Sequence, residues 1–157
     1  MLKKVTLWVL VILYMAFIFS FSAQEADQSN KTSSTVIVKV VKALDVGDKL
    51  TDREVEKIAE KASYPVRKLA HFLMYALLAF LSALLIFEYT HKKRIIYIGA
   101  VLVTFLYACT DELHQKFVSG RSGQISDVLL DTAGGLFGAT LLLLVCKLIG
   151  KIKKRRV

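Results

Sequence analysis

Four long apolar runs dominate the pattern of hydrophobic and polar positions along the chain. Within these runs, His71 is the one histidine and Asp131 is the one charged residue. The runs are Val5–Ala23, Leu69–Phe87, Ile95–Thr110 and Val128–Cys146. A helix needs roughly 20 apolar residues to cross a bilayer core of about 30 Å. The pattern therefore predicts four transmembrane helices, at about residues 5–23, 67–88, 95–114 and 127–148.

The first run follows Met1–Lys4, a basic start that is also typical of a signal peptide. Its apolar part is longer than a usual signal core, and Ser20-Phe21-Ser22 is a weak cleavage site. We therefore expect an uncleaved span. With a length of 157 residues and a hydrophobic content of 55%, the whole chain fits one membrane domain over residues 1–157.

The outer loop 24–66 is the one sizeable polar segment, and its second half predicts a helix. Thr51-Asp52-Arg53-Glu54 fits a capping box, with Thr51 as N-cap and Glu54 reaching back to it. Apolar residues then recur at helical spacing from Val55 to Ala62. Pro65 is expected to stop this helix or to begin the next one.

The first half of the loop leaves two structures open. Ile37, Val40, Val41 and Leu44 share a helical face, which predicts an amphipathic helix on the outer leaflet. The β-branched run 36–41 leaves a short strand as the alternative. The fold class favoured by the whole pattern is an all-α membrane protein. It is a four-transmembrane-helix bundle with a short extracytoplasmic helical segment between helices 1 and 2.

Charge predicts the orientation of the bundle, with both termini in the cytoplasm. In this orientation the inner segments contain a single acid, Glu88. The number of Lys and Arg residues is equal on the two sides, so their density beside helix ends decides the orientation. The inner cations are Lys3, Lys4, Lys92, Lys93, Arg94, Lys147, Lys151, Lys153, Lys154, Arg155 and Arg156. A basic tail beside a transmembrane helix is typical of contact with anionic lipid headgroups, so no nucleic-acid partner is expected.

The two cysteines are predicted to stay unpaired. Cys109 lies near the outer face and Cys146 near the inner face, so most of the bilayer separates them. Their spacing also matches no zinc site.

Ionisable residues at the outer ends of the last three helices are the feature that points to function. On the second helix Arg67, His71 and Tyr75 form one stripe, with Lys68 adjacent. The third helix ends in Asp111, Glu112, His114 and Gln115, the loop supplies Arg121, and the fourth helix begins with Asp127 and Asp131. Such residues are costly in a membrane unless they face a partner or water.

Two interpretations of this cluster remain open. In a salt-bridged clamp, Arg67, Lys68 and Arg121 neutralise the four acids and bind nothing, although buried ion pairs are weak evidence for stability. In a polar pocket, the same residues bind a ligand. The two histidines, Tyr75 and Gln115 favour the pocket, since a clamp has no need of them.

Small residues on the fourth helix predict close helix packing. Gly134, Gly135 and Gly138 form a GxxxG-type pattern, which lets helices approach closely in lipid. Packing within the chain is the favoured use, and a homodimer through the Gly134/Gly138 face is the alternative.

The chain resembles the VanZ-like family of small bacterial membrane proteins over nearly all of its length. The resemblance lies in Phe19–Gln24, in Arg67–Phe72 with Tyr75, and in a block from Asp111–Gln115 through Gly120-Arg121 to Asp127, Asp131, Gly134, Gly135 and Gly138. It implies a multi-pass protein of the bacterial plasma membrane. The family's named member is associated with low-level resistance to the antibiotic teicoplanin.

The favoured function is binding of a cell-envelope lipid or lipid-linked headgroup at the outer leaflet, with an effect on teicoplanin tolerance. The arginines and Lys68 would take phosphate. The alternative is an enzyme on such a headgroup, with His71 or His114 as general base or with the acids holding a divalent cation. A transporter and a scaffold for another membrane protein are further alternatives. No signature fixes a reaction, a cofactor or a metal.

Overall fold

The computed structural model describes residues 1–45 and 50–155, and its regular structure over these residues is entirely helical. Arg156 of the basic tail therefore lies outside the described residues. The five described helices are α1 (Leu2–Ser22), α2 (Ala26–Leu44), α3 (Asp52–Phe87), α4 (Lys93–Gln115) and α5 (Ile125–Arg155). Of these, α1, α3, α4 and the Ile125–Ile149 part of α5 are long and apolar enough to cross a membrane. The predicted all-α class with four spans is confirmed.

Helix α3 is the centre of the bundle, because α1, α2, α4 and α5 all pack against it. Its buried face carries Tyr75, Leu78, Ala79 and Ala83, all fully inaccessible. Apolar side chains that point away from this core, such as Leu102 on α4, stay exposed and cover the bundle in the way a lipid-facing surface requires.

The prediction that the helix ends or begins at Pro65 is wrong, because α3 runs through Pro65 without interruption. Its 36 residues correspond to about 54 Å at 1.5 Å per residue, well beyond a bilayer core of about 30 Å. Helix α2 contacts α3 on both sides of Pro65 and so keeps the two parts of α3 in line. Arg67 Nη1 donates to Asn30 Oδ1 at 2.7 Å, and the hydroxyls of Ser34 and Ser63 lie 2.8 Å apart.

Helix α2 resolves the open choice for the first half of the loop in favour of a helix. It runs antiparallel to the first half of α3, since residues progressively later in α2 meet progressively earlier residues of α3, ending at the 2.8 Å ion pair of Lys42 with Asp52. The predicted capping box is confirmed. Glu54 N donates to Thr51 Oγ1 at 3.4 Å and Thr51 N donates to Glu54 Oε2 at 2.9 Å.

Glycines of α5 allow that helix to touch its neighbours backbone to backbone. A Cβ added at Gly134 would lie 2.3 Å from the Phe72 carbonyl oxygen, and one at Gly138 would lie 1.8 Å from that of Ala76. Gly135 faces α4, where a Cβ would meet Thr104 Cγ2 at 2.8 Å. A homodimer through the Gly134/Gly138 face stays a prediction, and it would have to use a surface that α3 covers.

The two ends of the bundle differ in what they contain. At the end that carries the chain termini, hereafter the terminal side, Lys3 pairs with Glu88 at 2.5 Å and Trp8 Nε1 donates to the Tyr89 hydroxyl at 3.0 Å. The opposite end, hereafter the α2 side, carries α2 and the loop 116–124. Cys109 and Cys146 are both free, as predicted.

Candidate functional site

A polar cavity of about 90 Å³ opens on the α2 side, between α3, the end of α4, the loop 116–124 and the start of α5. Its walls combine most of the predicted cations with amide and hydroxyl groups. The lining residues are Tyr64, Arg67, Lys68, His71, Gln115, Gly120, Arg121, Ser122, Gln124 and Asp127. The structure therefore brings six of the predicted site residues to one cavity, because Arg67, Lys68, His71, Gln115, Arg121 and Asp127 all line it.

Local geometry explains how the loop contributes its arginine. Helix α4 ends at Gln115, and Gly120 adopts a positive φ of 73° that an L side chain would strain. The chain reverses there and places Arg121 against the end of α1. Arg121 Nε donates to the Gln24 carbonyl at 3.1 Å, and its Nη1 lies 3.5 Å from Gln115 Oε1.

The three cations of the polar cavity have different partners. Lys68 forms an ion pair with Asp127, and both side chains are about four-fifths buried. Arg67 donates to the neutral amide of Asn30, and Arg121 donates to a carbonyl and an amide oxygen. Among the described side chains, which leave out residues 26–27, 46–49 and 150–157, neither guanidinium is paired with a carboxylate. Within this described set, two positive charges thus face one small cavity without acidic partners.

The charge of Arg67 also affects the pKa of Arg121. Burial lowers its pKa from the ordinary value, and the charge of Arg67 lowers this pKa further, while Asp111, Glu112 and Asp127 oppose the shift. An arginine pKa starts above about 12, so the guanidinium remains charged at neutral pH. An anion placed between the two arginines would offset the electrostatic repulsion between them.

A hydrogen-bond network lies one turn deeper than the cavity and supports it. Gln115 Nε2 donates to Ser22 Oγ at 2.8 Å and to Asp111 Oδ2 at 3.3 Å, while Tyr75 donates to the same Asp111 oxygen at 3.0 Å. With its Oε1 turned to Arg121, Gln115 links α1, α4 and the loop. The side chains of Tyr75, Asp111 and Gln115 are all buried.

Several buried carboxylate oxygens have no hydrogen-bond partner among the described residues. They are Asp111 Oδ1, Glu112 Oε1 and both oxygens of Asp131. Glu112 Oε2 accepts from the backbone N–H of Gln124 at 2.9 Å. The clamp interpretation requires the cations to neutralise four acids, whereas the one described ion pair between these cations and acids is Lys68–Asp127.

The two histidines lie in different places. His71 lines the polar cavity, and its ring makes no hydrogen bond within the part of the chain that the structure describes. The ring of His114 packs against Phe19, with 4.5 Å between ring centroids, and does not line the polar cavity. The sequence pattern placed both in one cluster, and the structure separates them.

Among the described residues, no group of three or more His, Cys, Asp or Glu side chains is arranged to hold a metal ion. The arrangement of the acids therefore gives no support to the predicted divalent-cation form of the enzyme alternative.

Neutral residues complete the site and escaped the sequence analysis. Asn30 and Gln24 hold the two arginines, Ser22 anchors Gln115, and Tyr64 lies over Lys68 and Arg67 with its ring centroid at 5.2 and 5.7 Å from them. Site residues were predicted from charged side chains inside apolar runs, and that criterion leaves out uncharged residues. A polar residue at the end of a span, such as Ser22, could have indicated the site.

Comparison with known proteins places the chain by family. A family model described as VanZ/LLP1 matches residues 7–147, which includes every predicted site residue. Neither a curated protein nor a solved structure matches the chain. The matched region covers most of the sequence and the greater part of each of the four membrane-length helices, so the chain belongs to the VanZ/LLP1 family.

Proposed function

We propose that this protein binds the phosphate of a cell-envelope lipid or lipid-linked headgroup in the polar cavity. The cavity would face the outer leaflet of a bacterial plasma membrane, with both chain termini in the cytoplasm. The observation that supports this proposal is the pair of arginines, Arg67 and Arg121, which line the cavity without a carboxylate partner among the described side chains. Guanidinium groups bind phosphate through two parallel hydrogen bonds, which makes an oxyanion their natural ligand.

The neighbouring residues suit the same role. Lys68 is tethered to Asp127, so it adds positive charge at a fixed place rather than a mobile cation. Asp127 retains an oxygen that can accept from a sugar or peptide donor of the headgroup. Gln115 and Gln24 hold Arg121 in place before any ligand arrives, which reduces the entropy lost on binding.

Lipid that remains bound through purification tests the proposal. Protein extracted gently from membranes is compared by native mass spectrometry as wild type, Arg67→Gln with Arg121→Gln, and Arg53→Gln. Arg53 is the matched control, because it is exposed on the same helix, 14 residues and about 21 Å from Arg67. We expect a phosphate-bearing lipid on the wild type and the control and its loss from the double variant. Equal occupancy in all three would refute the proposal.

The connection with teicoplanin is a second part of the proposal, since the antibiotic acts on the cell wall outside this membrane. A deletion strain is complemented with wild type, Arg121→Gln or Arg53→Gln at equal membrane levels. We expect wild type and Arg53→Gln to restore tolerance and Arg121→Gln to fail. A deletion without effect on susceptibility would separate lipid binding from antibiotic tolerance.

An enzyme acting on the same headgroup is the second candidate, and the placement of His71 favours it. A histidine that lines the polar cavity, with no hydrogen bond to its ring from the described residues, is suited to general-base chemistry. His71→Gln distinguishes the two functions. A binding protein keeps its cellular function to the extent that it keeps its lipid, whereas an enzyme loses function while the lipid still binds.

A further inference from the structure

A second cavity of about 190 Å³ adjoins the polar cavity, between the end of α1, the start of α2 and α3. We call it the apolar groove, because Phe21, Val36, Val66, Ala70 and Met74 form much of its wall. Arg67 and His71 line both cavities. A molecule lying across these two residues would therefore touch the charged cavity at one end and the apolar groove at the other.

The apolar groove extends toward the membrane interior. From Arg67 to Met74 the helix advances seven residues, or about 10 Å along α3 in the direction of the span. Its polar wall residues are Gln24, Ser29, Thr32, Ser33, Arg67 and His71. Inward from Arg67, the α3 wall of the groove continues through the apolar Ala70 and Met74.

We propose that the apolar groove holds the first part of an acyl chain, and that the ligand is a long-chain phospholipid whose phosphate lies in the polar cavity. This inference rests on the proposed function and adds the class of lipid to it. The groove is deep enough and apolar enough for this occupant. A cavity of about 150 Å³ with apolar walls accommodates benzene, so 190 Å³ accommodates roughly six chain carbons or more.

The position of the apolar groove argues for a lipid chain over a peptide segment. Its wall includes residues of α1 and α3 that belong to the membrane-length helices, where acyl chains are the surrounding solvent. The shared residue Arg67 fixes the distance between charge and chain. The phosphate must therefore be separated from the acyl chain by about the length of one side chain, as it is in a phosphatidic-acid headgroup.

Two phosphate probes separate the acyl chain from the headgroup. Full-length protein in nanodiscs of neutral lipid is titrated with dioleoyl phosphatidic acid or with glycerol 3-phosphate. Because the acyl chain enters the groove from lipid and not from water, the test is how a groove substitution changes the binding of each probe, and we expect wild type to bind both probes.

Groove-filling substitutions test the location of the chain. Ala70→Trp on α3 and Val36→Trp on α2 should each weaken binding of dioleoyl phosphatidic acid by about tenfold or more and leave binding of glycerol 3-phosphate unchanged. Leu69→Trp and Val40→Trp are the matched controls, because both side chains are exposed neighbours outside the groove lining and Val40 is as exposed as Val36 (51% and 52%). Because the two groove variants lie on different helices, the test remains valid if one of them fails to fold.

The results also distinguish failure of this inference from failure of the proposed function. Unchanged binding of dioleoyl phosphatidic acid in both groove variants would overturn the acyl-chain site while leaving phosphate binding intact. If wild type binds neither probe, and Arg121→Gln behaves as wild type does, phosphate binding itself fails and the acyl-chain site with it.

Discussion

Replacement of Gly138 by alanine should destabilise the bundle strongly, because the added methyl group meets the backbone of a neighbouring helix. The new Cβ would lie 1.8 Å from the backbone oxygen of Ala76, whereas real Cβ contacts are rarely closer than 3.0 Å. Helices α3 and α5 must then separate by more than an ångström, since a backbone oxygen cannot rotate away. Overpacking typically costs 1–3 kcal/mol, and we expect about 3 kcal/mol for this contact.

The same methyl group at Gly99 is the matched control. There it meets the terminal Cδ1 of Ile86 at 2.8 Å, and a rotamer change of that flexible side chain relieves the contact. Thermal unfolding in nanodiscs should therefore show a Tm about 6–12 °C lower for Gly138→Ala, from roughly 2–4 °C per kcal/mol, and a small shift for Gly99→Ala. Equal shifts would refute the α3–α5 contact. A dimer that dissociates with unchanged monomer Tm would instead support the homodimer interpretation.

Three further predictions concern charged side chains. Lys68→Ala should lower the free energy of unfolding by about 1–3 kcal/mol, because it leaves Asp127 only 23% exposed and unpaired, and the double variant with Asp127→Ala should recover part of that loss in a double-mutant cycle. Asp131→Asn should leave the Tm unchanged or raise it, because burial without a hydrogen-bond partner among the described residues disfavours the charged carboxylate; a lower Tm would show that the carboxylate is stabilised. The Thr51 hydrogen bonds lower the pKa of Glu54, so its contribution to the start of α3 is present above about pH 4.3 and is lost as the pH falls through the lowered pKa. The protection factors of amides in the first turn of α3, which correct for the intrinsic exchange rate, should fall over that acidic range in wild type and fall less in Glu54→Gln.

The spans and the capping box could be predicted from the sequence because each depends on local composition. An apolar run of sufficient length partitions into lipid whatever its neighbours do, and Thr51 and Glu54 are three residues apart. Pro65 illustrates the limit of local rules. A proline removes one helical hydrogen bond, yet α2 packs along both sides of it, and that contact is a tertiary property.

In the candidate site, the depth of each residue along its helix could be predicted from the sequence, whereas the partner of each side chain could not. Depth follows from the position of a residue along a span, and the predicted residues do lie at one end of the bundle. The direction in which a side chain points is harder to predict than its depth, because neighbouring residues of a helix point about 100° apart. Gln115 turns to the buried network, while His114 turns to Phe19. The partners of each cation also depend on loop geometry, and the positive φ of Gly120 places Arg121 against Gln24 and Gln115.

The central claim is that Arg67 and Arg121 form a phosphate site, and phosphorus NMR of the bound ligand tests it most directly. Phosphatidic acid is observed in nanodiscs containing wild type, Arg53→Gln, or the Arg67→Gln with Arg121→Gln double variant. The account predicts a second, shifted phosphorus resonance with wild type and Arg53→Gln, and a single unshifted resonance with the double variant. A shifted resonance that survives in the double variant, or one that is missing from wild type, would contradict it.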